Sequence, residues 1–256
     1  MKRFILSILA LFLVFINTSV YAASNFTKKE LKVAASDGFN LKATLTYPKS
    51  KTQKDFPTVV LLHSLGYNSA WWGNLQNDLL DKGFAVLAVD LRGHGASIYN
   101  AKLTKTSWKD LKNSAYAKYP DDVIKVINQV KEENPKRTFF NNWAIVGANI
   151  GASAGVLAAD RLKDKPKAVV MLSPVVKMKD LYIPISVAQL DNVDFLSITG
   201  TEETEAQESE AYLKRFAQKS FATYVSPAKS SGMLLLKNDP ELSRVISAWL
   251  NEYLIN

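Results

Sequence analysis

Gly147-Ala148-Asn149-Ile150-Gly151 places two glycines around a central polar residue, directly after the apolar run Trp143–Val146 and before a stretch of small residues. This is the spacing of the glycine-x-serine-x-glycine elbow, a sharp strand-to-helix turn that holds a serine hydroxyl out as a nucleophile. Here the tip is Asn149. A carboxamide does not ionise near neutral pH and is a poor nucleophile. Asparagine does, however, tolerate the positive φ of such a tip better than most non-glycine residues, so a structural role is expected for it. A second match to the spacing, Gly151-Ala152-Ser153-Ala154-Gly155, carries a serine. Ser153 lies one helical turn beyond the tip, where a small residue packs a helix on a sheet. His63 and His94 are the only histidines and there is no cysteine. Disulfides, a thiolate nucleophile and thiolate metal sites are therefore excluded, and two scattered histidines give no metal-ligand spacing. No metal and no cofactor are expected.

The elements needed to position these residues read clearly. Glu30–Pro48 forms a hairpin, with Asp37-Gly38 as its turn and Leu41, Ala43, Leu45 and Tyr47 alternating along its second strand. Thr58–His63 and Phe84–Asp90 are continuous apolar runs, as expected of strands buried on both faces of a parallel sheet. Further strands are expected at Trp143–Val146, Ala168–Leu172, Phe195–Thr199 and Phe221–Val225. Helical spacing appears at Leu75, Leu79 and Leu80, at Val123, Ile127 and Val130, from Ile150 to about Leu162, from about Ala206 to Ala217, and over Leu242–Leu254. Short apolar strands alternating with amphipathic helices imply an α/β fold, a mostly parallel central sheet with helices on both faces.

The N-terminus stands apart. Lys2 and Arg3 precede an apolar run of roughly 13 residues, Phe4–Ile16, and Val20-Tyr21-Ala22 offers small residues where a signal peptidase reads. The run is short of the ~20 residues that span a bilayer. A cleaved secretory signal over residues 1–22 is expected, followed by one domain over 23–256, exported to a periplasm or the extracellular space, with no stable membrane span after cleavage. Loss of Lys2 and Arg3 lowers the formal charge from +8 to +6. The lysines are spread rather than interleaved with aromatics, so no nucleic-acid partner is expected.

The landmarks His63-Ser64-Leu65-Gly66, Asp90-Leu91-Arg92-Gly93-His94-Gly95, the elbow, an acidic loop at Gly200–Thr204 and the Ser231-Gly232 turn follow one another, each at a strand end. In this order they resemble the α/β-hydrolase superfamily, closest to compact esterases and dienelactone-hydrolase-like or serine-aminopeptidase-like members with little or no lid. The resemblance covers about Leu31–Tyr253. It implies a nucleophile, an acid and a histidine base in that chain order. The nucleophile position is Asn149. The acid position falls on Glu203, a glutamate in place of the usual aspartate, within an acidic run that also reads as a solvated helix start. The base position is Ser231, where related chains have histidine before glycine, and a serine cannot serve as a base near pH 7. The oxyanion hole would be formed by the backbone N–H groups of Leu65 and Ile150. His63 and His94 match structural histidines of the family, with recruitment of either as a base the alternative. Trp71, Trp72 and Trp108 could line a pocket mouth, although paired tryptophans more often serve core or rim packing.

The expected function is thus that of an inactive or strongly impaired hydrolase homologue binding an ester- or amide-like small molecule or an envelope partner. Its oligomeric state is left open. The alternative is an active esterase or peptidase-like enzyme with a non-standard catalytic set that uses Ser153 or His63. A dinucleotide-binding protein is disfavoured because no glycine-x-glycine-x-x-glycine follows the first strand.

Overall fold

In the computed structural model, residues 25–134 and 136–255 are described. The expected signal segment, residues 1–22, lies outside them. The chain runs β1 (Phe26–Ala34), β2 (Asn40–Pro48), β3 (Thr58–Leu62), α1 (Gly73–Asp81), β4 (Ala85–Asp90), α2 (Asn113–Tyr116), α3 (Tyr119–Glu133), β5 (Trp143–Ala148), α4 (Ile150–Arg161) and β6 (Ala168–Leu172). It continues through β7 (Lys177–Met178), β8 (Leu181–Tyr182), α5 (Pro184–Gln189), β9 (Asp194–Gly200), α6 (Thr204–Lys214), β10 (Phe221–Ser226), α7 (Met233–Asn238) and α8 (Leu242–Leu254).

Eight strands form one sheet in the order β1-β2-β4-β3-β5-β6-β9-β10. β1 and β2 pair antiparallel, β2 is antiparallel to β4, and every pairing from β4 to β10 is parallel. The continuous apolar runs fill the centre: β3, β4, β5, β6 and β9 are buried at every position. Alternation along them splits the core in two. Val60, Leu62, Leu87 and Ile145 point to the layer of α3 and α4, while Val59, Leu61, Val86 and Val146 point to the layer of α1 and α8. Each helix covers its layer with one apolar stripe, such as Val123, Val126, Ile127 and Val130 of α3.

The parallel strands all present their carboxyl ends at one edge of the sheet, where ligands of open α/β sheets bind. Between β6 and β9 stand only the small β7–β8 hairpin and the short α5, so among the described residues no large lid is inserted there. These three elements and α7 escape sequence periodicity because each is too short to show a period. The segment Asn100–Tyr119, which reads as polar and aperiodic, holds the short α2 and a 3-10 turn at Trp108–Asp110. Among the described residues no helix is long and apolar enough to cross a membrane.

Candidate functional site

The elbow forms as its glycines require. Gly151 abuts the main chain leaving β3, and a Cβ there would collide with the carbonyl of Leu62. A Cβ on Gly147 would collide with the backbone of Ala152. Strand and helix can approach this closely only without those side chains. Asn149 sits between them at φ 55° and ψ −116°, the positive φ expected of the tip. Its N–H donates to Leu172 O at 2.8 Å, and its C=O accepts from Ala152 N and Ser153 N at 3.0 and 3.2 Å. The carboxamide, half-buried, has no hydrogen-bond partner among the described residues. Ser153 is fully buried and its hydroxyl has no partner among the described residues, so it packs α4 on the sheet and reaches no solvent.

Glu203 precedes α6 and turns its carboxylate back. Oε2 accepts from Gly200 N at 2.7 Å and from the Ser173 hydroxyl at 2.8 Å. Ser173 follows β6 at φ 52° and is buried. Its oxygen in turn accepts from Gly232 N at 2.7 Å. A relay Glu203–Ser173–Gly232 thus joins the acid-position loop to the turn at the base position. Gly232 itself has φ 55°. A Cβ there would collide with Ser64 Oγ and stand 3.7 Å from Asn149 Cβ, so this turn is threaded between the elbow tip and the loop after β3. Ser64 Oγ holds it there by accepting from Met233 N at 3.3 Å. Ser173 and the hydroxyl of Ser64 are the site residues that sequence reasoning missed. The available signal for Ser173 was its place directly after the buried AVVML strand, at the same sheet edge as the other landmarks.

Asn149, Glu203 and Ser231 are brought to one open cleft of about 410 Å³, together with Ser173, Val175 and the exposed Glu202 and Glu205. Ser231 is exposed. The Leu65 and Ile150 amides, the expected oxyanion donors, are without hydrogen-bond partners among the described residues. Ile150 is the first residue of α4, where an N–H has no intrahelical acceptor.

Both histidines are tied down on both nitrogens. His63 Nε2 accepts from Leu91 N at 3.0 Å, which leaves the proton on Nδ1, 2.8 Å from Ser64 O. His94 Nε2 accepts from Gly66 N at 3.0 Å and its Nδ1 faces Arg92 O at the same distance. Burial drives the His63 pKa down to about 4 and lowers that of His94. Each ring is a neutral brace between a loop and its neighbour, with no lone pair free for a proton in transit.

The tryptophans do not share a mouth. Trp72 is buried, and Trp108 stacks on His94 at 5.7 Å between centroids and lies under Gly66. Trp71 is exposed, and with Trp72, Met233 and Lys237 it lines a separate hollow of about 330 Å³. The described residues contain no group of acidic or histidine side chains that could hold a metal ion.

Residues 53–218, well over half of the chain, match the family of the serine aminopeptidase, S33. No curated protein sequence matches significantly. Among solved structures, the chain is similar to an esterase of Pyrococcus furiosus (15% identity, TM-score 0.65, covering 90% of this chain and 92% of that one). It is similar to the dienelactone hydrolase of Anabaena variabilis (15%, 0.66, 90% and 100%). A thermostable carboxyl esterase of Bacillus coagulans is alike to the same degree (13%, 0.68, 89% and 99%). At these identities the likeness is one of fold.

Proposed function

Because this chain belongs to the serine aminopeptidase S33 family and has the α/β-hydrolase fold, we propose that it is an exported member of that family whose serine–histidine chemistry is lost and whose cleft binds a ligand. One observation carries the reading. The protein has two histidines, and all four ring nitrogens face backbone partners, so none is available to act as the base of a triad. Asn149 at the tip and Ser231 at the base position agree with it. The acid position is redirected as well, since Glu203 holds Ser173 and the main chain rather than an imidazole.

The cleft retains the means to bind. The open amides of Leu65 and Ile150 suit the oxygen of a carbonyl, and Glu203 and Glu205 disfavour an anion, Glu202 being paired with Lys229 at 2.7 Å. A neutral ester- or amide-like molecule fits both. A partner protein of the cell envelope is the other occupant the sequence suggested. The second reading, an active hydrolase with a non-standard catalytic set, draws support from the same open amides, because an oxyanion hole with binding alone accelerates hydrolysis modestly over water.

The test is hydrolysis of p-nitrophenyl acetate and butyrate with fluorophosphonate labelling of the same preparation. Background turnover, unchanged in Asn149→Ala, and no labelling are expected. Labelling of one serine would overturn the reading and name the nucleophile.

A further inference from the structure

The conformation of Asn149 has a chemical consequence of its own. Viewed along the Cα–C bond, the substituents on the Cα of an L-residue lie about a third of a turn apart. A ψ of −116° therefore brings the nitrogen of Ile150 into eclipse with the Cβ of Asn149. Helices and strands, with ψ near about −42° or +135°, hold the two apart. Eclipse is the arrangement a five-membered ring demands. Closure of an asparagine to a succinimide joins the nitrogen of the next residue to Cγ, and the main obstacle in folded chains is the rotation of ψ that precedes it. Here the elbow has already made that rotation.

Three further features favour closure. The Ile150 amide is unpartnered among the described residues, so no hydrogen bond is lost when it attacks. The Asn149 carboxamide is likewise unpartnered and lines an open cleft, so its side chain can rotate, ammonia can leave and water can enter. The nitrogen also stands at the positive end of the α4 dipole, which favours loss of its proton and later favours a carboxylate at the same place.

We propose that Asn149 is a self-modification site that converts to a succinimide and then to aspartate or isoaspartate. Ile150 N attacks Cγ, and the new C–N bond replaces the bond to the carboxamide nitrogen. That nitrogen departs as ammonia, taking the proton given up by Ile150. Water then opens the ring. Addition at Cγ yields aspartate on the original backbone, and addition at the α-carbonyl yields isoaspartate. The aspartate form carries a carboxylate, a group that can act as a nucleophile, at an elbow whose sequence supplies none. The inference is independent of what the cleft binds.

The unfolded chain provides the reference. Ile150 is bulky and β-branched, which hinders closure when the chain is free, so the fold must supply the acceleration. The full chain is incubated at mildly alkaline pH, folded in buffer and unfolded in guanidinium chloride, and sampled by peptide mapping with mass spectrometry and isoaspartate detection. In the folded protein the Asn149 peptide is expected to convert about tenfold or more faster than in the unfolded chain, as pre-aligned reacting groups allow. It should pass through a species lighter by one ammonia. The exposed Asn141 and Asn142 serve as internal controls with no such gain. Conversion of Asn149 at an equal or slower rate in the folded protein overturns the proposal.

Discussion

The loops after β3 and β4 and the turns after β5 and β10 lie along the same edge of the sheet but are finished differently. In the first group the buried charged side chains and both histidines are saturated. His63 and His94 use both ring nitrogens. Asp90 accepts from Ser69 N and Ala96 N, both at 2.8 Å. Arg92 forks to Asp122 and to Asp37. In the second group the Asn149 carboxamide and the Ile150 amide are unpartnered among the described residues, and Ser231 is exposed. A buried polar group left unpaired is costly, so most groups that serve only the fold are bonded, with the Ser153 hydroxyl and the Trp72 indole N–H as exceptions among the described residues. Groups left open at a solvent-facing edge are those a ligand or a reaction can use. The contrast assigns stability to the saturated side chains and chemistry to the open groups, among which the Leu65 amide alone belongs to the loop after β3.

The largest effect is expected where saturation is deepest. Arg92 and Asp122 are both buried, and the Arg92 guanidinium also lies 4.6 Å from the Phe39 ring centre. Burial raises the Asp122 pKa even with its partner present. Arg92→Met leaves that carboxylate alone and should cost about 3–5 kcal/mol, read from guanidinium unfolding curves. Arg92→Met combined with Asp122→Leu should recover much of the loss, because replacing both members of a buried pair is far milder than removing one. A loss no larger than that of an exposed pair, about 1 kcal/mol or less, would break the contrast at its strongest point.

A pH titration of stability sharpens it further. The unfolded chain protonates His63 at the ordinary value of 6.5, whereas the folded chain resists until about 4. Between these values the unfolded state holds more protons, so stability falls as pH drops through this window and levels off below it. On the order of 3 kcal/mol is involved for so buried a ring. The lowered pKa of His94 acts in the same direction. Unfolding free energies of the parent protein and of His63→Gln, compared from pH 7 to pH 4, should converge as pH falls. Parallel curves would mean that the ring is not the neutral brace described above.

Much of this was legible in the sequence, for identifiable reasons. The central strands are unbroken apolar runs because helices cover both of their faces. Asn149, Glu203 and Ser231 each follow a parallel strand, and parallel strands share one edge, so chain order alone brings them to one cleft. What stayed hidden depends on contacts between distant residues. Ser173 and Gly232 are 59 positions apart, and no local pattern announces a hydroxyl that links two loops. The tryptophans divide for a related reason: Trp71 and Trp72 are adjacent in the chain, yet one is exposed and the other buried, since neighbours in a 3-10 turn point in different directions. His63 and His94 were legible as a pair of structural residues, but their tautomers follow only from the amides of Leu91 and Gly66.

The smallest effect tests the boundary between the halves, the relay through Ser173. Serine and alanine are comparably strained at a φ of 52°, so Ser173→Ala isolates the hydroxyl. Its loss strips the buried Gly232 N–H of its acceptor, and Glu203 of one of two donors. About 1–3 kcal/mol follows if the amide stays dry, and less if water enters from the cleft. The more discriminating measurement is local. Hydrogen exchange at Gly232 and Met233 should quicken, while the amides of Leu91 and Gly66, held by the two histidines, keep their protection. An equal rise in both places would mean that the two halves of the edge open together. Quickening confined to the Ser231-Gly232 turn would mean that the saturated half holds its shape without the open one, leaving the cleft free to change its chemistry while the fold persists.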